Sequence, residues 1–248
     1  AELIGNLRFT AESRYDFPAV GDWVAFTEYD EGKGLIHKVF PRHSILERQA
    51  VGKSGQVQII ATNIDYGLIV QAVDRDFNLN RLERYLTICN AAKVKPIIVL
   101  NKTDLINQTE LDAIMHRVTD RIKDVTTIAV NNKLNGYKAL EPFIIKGNTY
   151  CLLGSSGVGK STLLNGLSGN KLMKTAEIST SVNKGKHTTS HRELIVLKNG
   201  GVLIDNPGMR EVGIADTSSG LEVTFDTILE YAKQCKFKDC THEHEKGC

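Results

Sequence analysis

Gly154-Ser155-Ser156-Gly157-Val158-Gly159-Lys160-Ser161 fits the pattern G-x-x-x-x-G-K-[ST] and stands between an apolar run, Tyr150–Leu153, and a stretch of helical character from Lys160 to about Ser168. The octapeptide is constraining because it works only as the turn from a strand into a helix. Its glycines let the backbone curl until successive N–H groups face inward, and the helix N-terminus adds its positive end, which makes an anion cradle. Such a turn needs a buried strand before it, a helix after it and further elements to cover both, so an α/β sheet is implied. With those neighbours in place the segment reads as a phosphate-binding loop rather than an ordinary Gly/Ser turn. Gly154, Ser155, Ser156, Gly157, Val158, Gly159, Lys160, Ser161 and Thr162 are the expected contacts. Lys160 is expected to reach the β- and γ-phosphates and to act in catalysis, and the Ser161 hydroxyl to ligate Mg²⁺.

The surrounding chain supplies what the loop demands. From Tyr66 onward strands alternate with helices. Apolar strands are predicted at 67–73, 94–100, 125–130, 149–153, 193–197 and 202–204, and helices at 109–122, near 137–145, at 160–168 and at 221–233. Asn78 can cap a further helix whose Leu82, Tyr85, Leu86 and Cys89 recur at helical spacing. Alternation of this kind implies a mostly parallel sheet covered on both faces. Residues 1–65 differ: short apolar runs such as Trp23–Phe26 and Leu35–Val39 are separated by turn signals, which favours a small β-barrel. The division expected is therefore a β-barrel over 1–65, a nucleotide-binding α/β unit over 66–220 and a cysteine-bearing segment over 221–248.

Composition limits the class of protein. The chain has 248 residues, a hydrophobic fraction of 41%, a charged fraction of 24% and a net charge of +2. Those values suit a folded soluble protein in the cytoplasm, and the charge does not by itself announce a nucleic-acid partner. No apolar run is long enough to span a bilayer, and the start Ala1-Glu2-Leu3-Ile4-Gly5 lacks the basic segment and apolar stretch of a secretory signal.

The base is named by Asn101-Lys102-Thr103-Asp104, which follows the strand ending at Leu100. Guanine presents two N–H donors on one edge, and the single carboxylate of Asp104 can accept both. Adenine offers no such pair and would leave that carboxylate unsatisfied. The Lys102 stem is expected to cover a face of the base, with Asn101 holding the loop and reading the other edge. Ala129-Val130-Asn131 ends the next strand, where Ras-like proteins place a loop against the base oxygen, but the usual Ser-Ala is not kept.

Hydrolysis is pointed to by Asp205-Asn206-Pro207-Gly208, a D-x-x-G element after the strand Val202–Ile204. Asp205 is expected to hold Mg²⁺ through a water and the Gly208 N–H to meet the γ-phosphate. Gly185–Ser190 lies where a first switch belongs, with Thr189 favoured over Thr188 to complete the Mg²⁺ shell. Met209 occupies the place where Ras-like enzymes carry a water-orienting glutamine, and a thioether cannot orient water. His187, backbone groups or a partner must do so, and slow turnover by the isolated protein is expected. A rival reading makes GTP a ligand that controls an RNA- or ribosome-binding clamp, with incidental hydrolysis. A P-loop ATPase is a third, and it requires Asn-Lys-x-Asp to be accidental.

These motifs come in an unusual order, with Asn101 ahead of Gly154, then the first switch, then Asp205. An ordinary Ras-like domain begins with the phosphate loop and ends with Asn-Lys-x-Asp, so the same sheet results if the old termini are joined and the chain reopened after the second switch. Together with Val20-Gly21-Asp22-Trp23-Val24, Ala61-Thr62-Asn63-Ile64-Asp65, Gly185-Lys186-His187-Thr188-Thr189 and Asp205-Asn206-Pro207-Gly208-Met209-Arg210, this order resembles the RsgA/YjeQ family of circularly permuted GTPases over essentially the whole chain. The resemblance implies an OB-fold, a permuted GTPase domain and a zinc domain. It also implies that the protein serves late maturation of the bacterial small ribosomal subunit and its rRNA, as a monomer whose GTP-to-GDP turnover the subunit stimulates. Family members carry more barrel before the position of Leu3 and helices after the last zinc cysteine, so an incomplete barrel and a truncated zinc segment are expected.

Cys235, Cys240, His242 and Cys248 provide three thiolates and an imidazole, a full tetrahedral set for one structural zinc with no open position for a catalytic water. His244 competes with His242, and the family spacing favours His242. Cys89 and Cys151 lie in apolar patterns and read as core residues. Basic residues collect in three places: around Lys38, Arg42, Arg48 and Lys53 with His37 and His43; around Lys184, Lys186, His191 and Arg192; and at Lys233, Lys236 and Lys238. Each patch permits phosphate contacts without requiring them.

Overall fold

The structure, a computed structural model, describes residues 1–30, 32–49, 57–74, 77–131, 135–169, 193–205, 224–237, 240 and 248. Its centre is a six-stranded sheet built from β6 (Tyr66–Ala72), β7 (Lys95–Asn101), β8 (Thr126–Val130), β9 (Thr149–Leu153), β10 (Glu193–Val196) and β11 (Val202–Asp205). The spatial order is β10-β11-β9-β6-β7-β8, and every neighbouring pair is parallel except β10 with β11. β6 is buried along nearly all its length, as a central parallel strand covered on both faces must be.

Strand alternation sends successive side chains to opposite faces and so divides the core in two. Ile69, Val73, Ile98, Leu100, Cys151, Leu153 and Ile204 pack against helix α2 (Leu79–Ala91) and helix α3 (Gln108–Arg121). Leu68, Val70, Val99, Val130, Leu152 and Leu203 pack on the other face against helix α4 (Lys160–Ser168) and the 3-10 segment Gly136–Phe143. Helix α2 starts where its sequence permits: Asn78 accepts from the Arg81 N–H, and Leu82, Tyr85, Leu86 and Cys89 form its buried stripe. It lies close on β6, since a Cβ at Gly67 would come within 2.7 Å of Cys89 Sγ. Helix α3 opens with a capping box between Asn107 and Glu110. The helix predicted near 137–145 is a 3-10 segment; Pro142 within it lacks the N–H that an α-helical turn would use.

The N-terminal segment follows the strand expectation with differences. β2 (Val24–Asp30) and β3 (Lys33–Val39) form an antiparallel pair, and the short β1 (Glu2–Leu3) joins β3 in parallel. β4 (Ile45–Gln49) and β5 (Val57–Thr62) form a separate antiparallel ribbon. Among the described residues these two ladders do not join, so the strands of the expected barrel are present and its closure is not. A helix the sequence pattern did not announce, α1 (Gly5–Thr10), follows β1. Leu46, Ile60, Ala61 and Ile64 belong to the same core cluster as α2 and β11, so the ribbon is packed onto the large sheet. Of the helix expected over 221–233, the described part is α5 (Asp226–Lys233).

Candidate nucleotide site

β7, β8, β9 and β11 run parallel, so their carboxyl ends lie along one edge of the sheet. Between β6 and β9 the connections diverge: β6 leads through α2 toward β7 on one side, and β9 leads through α4 toward β11 on the other. Ligands of open parallel sheets bind in the crevice made at such a switch point.

The phosphate loop leaves β9 into this crevice. Gly154 adopts φ +142°, and a Cβ there would stand 2.2 Å from the Val70 carbonyl oxygen of β6, so no other residue fits without moving the loop. At Gly157 a Cβ would meet nothing within 4 Å, so that stretch of backbone faces open space. Gly159, at φ +97°, is the N-cap of α4 and offers no side chain to the helix's first N–H groups. They remain for an anion. Val158 is buried among Leu163, Leu164 and Leu152 and pins the loop from below. Lys160 Nζ donates to the carbonyls of Gly154 and Ser155, both at 2.6 Å, which holds the ammonium inside the curl of the loop. Burial pushes the Tyr85 phenol above its ordinary value, and the neighbouring Ser155 of the loop works against that rise.

The base-reading segment is tied to the same loop. Asn101, the last residue of β7, is fully buried and donates through Nδ2 to the Val158 carbonyl at 2.7 Å. Its Oδ1 is buried without a hydrogen-bond partner among the described residues. Lys102 takes the left-handed conformation, φ +62°, which turns the chain sharply into the 3-10 turn Thr103–Leu105 containing Asp104. Its ammonium lies 3.3 Å from Asp74 Oδ2. Asn131 directly follows β8, whose Val130 pairs with Asn101, so this third strand end sits beside the base-reading one.

Asp205 ends β11 one strand away from β9, and Ile204 pairs with Cys151. Ser161 and Thr162 fall in the first turn of α4. The chain thus brings Asn101, Lys102, Asp104, the loop Gly154–Gly159, Lys160, Ser161, Thr162 and Asp205 to one edge of one sheet. His187, Thr189 and Gly208 lie outside the described residues, as do Thr188 and Met209.

The residues fit a nucleotide on two grounds. The helix N-terminus above β9 is left uncapped by any side chain, and a buried amide oxygen stands unsatisfied beside the loop. A separate group of cysteines able to hold a metal lies at the C-terminal end. The Sγ atoms of Cys235, Cys240 and Cys248 lie within 4.8 Å of one another, with Cys235 and Cys248 at 3.9 Å. Tetrahedral zinc with Zn–S bonds of about 2.3 Å separates its sulfurs by about 3.8 Å, so the spacing fits. His242 lies outside the described residues. Cys89 and Cys151 are fully buried in the main core; burial pushes the Cys151 thiol up to about 12 and, with Cys151 nearby, raises that of Cys89 well above its ordinary value.

The structure removes one residue from the basic patches. Arg42 is not a surface cation: its side chain is 7% exposed and pairs with Asp22. Tyr85, which helical spacing marks only as a core position, lies beside Ser155 of the loop.

A sequence profile of the RsgA GTPase family matches residues 39–215. The chain belongs to that family. A family member from Opitutus terrae named small ribosomal subunit biogenesis GTPase RsgA is 42% identical, over all of this chain and 70% of its own length. One of the same name from Methanosarcina acetivorans is 44% identical over 93% of this chain and 63% of its own. Among solved structures, YjeQ from Thermotoga maritima superposes with a TM-score of 0.67 at 24% identity, covering 98% of this chain and 78% of its own. YloQ, described as a circularly permuted GTPase, gives 0.66 at 23%, covering 96% and 74%. These two likenesses bear on the fold. They agree with a sheet whose base-reading strand, β7, precedes its phosphate-loop strand, β9, in the chain.

Proposed function

We propose that this chain is a GTP hydrolase that binds the small ribosomal subunit, assists its late maturation and is stimulated by it, converting GTP to GDP and phosphate. The observation that carries the guanine-nucleotide reading is the Asn101–Val158 hydrogen bond, which joins the end of the base-reading strand to the middle of the phosphate loop. A ligand spanning the two must hold a base and a polyphosphate at once. The subunit is the partner because the relatives at 42–44% identity carry it in their names.

In this reading Asp104 accepts the two guanine N–H groups, and the second amide N–H of Asn101 faces the acceptor edge of the base. The backbone N–H groups of 154–159 and the start of α4 cradle the phosphates, and Lys160 neutralises charge that grows between the β- and γ-phosphates during attack by water. Ser161, Thr189 and Asp205 would hold Mg²⁺, which would supply further charge stabilisation there. The Gly208 N–H meets the γ-phosphate, and His187 is the side chain assigned to the attacking water.

Outside this site, Cys235, Cys240, His242 and Cys248 hold one structural zinc, a role the sulfur spacing supports. The N-terminal strands serve as an OB-type module for rRNA. Trp23, Phe26 and Phe40 are exposed, and Lys38 lies over the Phe40 ring, a combination suited to stacking and phosphate contact. In this reading the protein works in the cytoplasm as a monomer. Among the described residues no helix is long and apolar enough to cross a membrane.

The test is turnover of GTP and of ATP with and without purified small subunits. GTP hydrolysis that rises when subunits are added is the expected result. GTP binding without stimulation would leave a nucleotide-controlled clamp, and preference for ATP would refute the role of Asp104.

A further inference from the structure

The turn Val20-Gly21-Asp22 is fastened more heavily than a surface turn requires. Arg42 donates through Nε and Nη2 to the two carboxylate oxygens of Asp22 at 2.7 and 2.6 Å, and through Nη1 and Nη2 to the carbonyls of Tyr15 and Phe17. Asp22 also accepts from Thr62 Oγ1 at 2.6 Å and from the Ala19 N–H at 2.7 Å. Burial alone would raise the Asp22 carboxyl, but the bonds from Arg42, Thr62 and Ala19 outweigh it and hold the group below its ordinary value. Both side chains of the pair are buried, so this latch is shielded from solvent and salt.

The latch holds the turn against the end of β5, beside Ile204 of the main sheet. Thr62 donates its N–H to the Val20 carbonyl at 3.0 Å, and Asn63 Nδ2 donates to the Gly21 carbonyl at 2.9 Å. Gly21 has φ +97°, and a Cβ there would lie 2.1 Å from the Thr62 carbonyl oxygen and 3.2 Å from Ile204 Cδ1. Val20 packs against the core cluster that contains Ile204. Ile204 is fully buried, pairs with Cys151 of β9 and immediately precedes Asp205.

We infer that Gly21 and the Arg42–Asp22 latch are positioning residues for the Mg²⁺ side of the nucleotide site: by keeping the turn flush on Ile204 they fix where β11 ends, and with it where Asp205 stands relative to the phosphate loop. This rests on the Mg²⁺ role proposed above for Asp205. The coupling is mechanical. Ile204 is the last residue of β11 paired to β9, and a close-packed core passes a displacement of the turn on to it instead of absorbing it. It is also reciprocal, so a partner that shifts the N-terminal segment alters Mg²⁺-dependent nucleotide affinity, and the bound nucleotide alters affinity for that partner by the same factor.

The test uses the full chain and reads binding rather than turnover. Affinity for a fluorescent GTP analogue is measured in Mg²⁺ and in EDTA for Gly21→Ala, for Ile204→Val, which removes a single methylene and retains the fold, and for Asp205→Asn. The expected result is a Mg²⁺/EDTA affinity ratio lowered by about fivefold or more in the Gly21 and Ile204 variants, with affinity in EDTA within about twofold of the parent. Equal losses in both buffers, or an unchanged ratio in Ile204→Val, would show the turn to be structural only and overturn the inference. If Asp205→Asn lowers the ratio and the other two do not, the coupling fails while the Mg²⁺ assignment stands. If Asp205→Asn leaves the ratio unchanged, that assignment fails and takes the coupling with it.

Discussion

Asn101→Ala separates a binding role from a packing role. In the nucleotide-free protein the side chain has two opposing effects. Its Nδ2 satisfies the buried Val158 carbonyl, and truncation strands that carbonyl at a cost of about 1–3 kcal/mol. Its Oδ1 is buried without a partner among the described residues, so truncation also removes a desolvation penalty of about the same 1–3 kcal/mol. The two nearly cancel, and a residual of about 1 kcal/mol moves Tm by only about 2–4 °C in a chain of this size. Nucleotide binding has no such compensation, because the loop loses its tether and the base loses an N–H. Affinity should fall by about 1–3 kcal/mol, or about 5- to 150-fold. Thermal unfolding without nucleotide and titration with a fluorescent GDP analogue read the two quantities separately. Asn101→Asp, which sets a second acceptor against the Val158 carbonyl, should bind more weakly than the alanine variant. A large drop in Tm with affinity within about twofold of the parent would refute the reasoning and leave Asn101 a packing residue.

Asp104→Asn exchanges an acceptor for a donor. It should weaken GTP binding and favour xanthosine triphosphate, whose ring carries a carbonyl in place of the guanine amino group; competition binding that still prefers GTP would remove Asp104 from the base edge. Cys240→Ser should lose the zinc proposed for the cysteine cluster, read as metal content after dialysis, and melt at lower temperature than the parent. Asp22 gives the fold an acid limit. Because its folded value is lowered, its contribution is complete above the unfolded value of about 3.9 and is lost as pH falls through the folded value. Asp22→Asn should cost about 3–5 kcal/mol at neutral pH, with the gap to the parent closing on acidification below about pH 4, measured by denaturant titrations across pH. A constant gap across that range would show that the carboxylate's charge does not contribute.

What could be read from the sequence was what local chemistry dictates. The loop at Gly154 declares its strand and helix because only that context serves eight such residues, and the Asn78 cap marks a helix start through a contact within a few positions. Pairing between distant segments was hidden. Nothing near Tyr66 or Tyr150 states that β6 and β9 lie side by side, although that neighbourhood makes the crevice. The N-terminal segment showed its strands by alternation, but alternation does not say which ladders close. Arg42 read as a surface charge because its partner, Asp22, lies twenty residues earlier, and charge on a loop looks the same whether solvated or latched. Tyr85 was visible only as a member of a helical stripe.

The strand order bears on how the chain can assemble as it is synthesised. β6, β7 and β8 emerge first and can form a three-stranded unit with α2 and α3 on one face. β9 then adds to the open edge of β6, and the β10–β11 hairpin adds to β9, so each newcomer docks at a border and none must be inserted between strands already paired. Until residues 149–153 emerge, however, β6 presents a long, apolar, unpaired edge, the kind of surface that recruits strands from other chains. The order that sets the base-reading strand ahead of the phosphate loop thus also sets an interval, about eighty residues of synthesis, in which this protein is most exposed to misassembly.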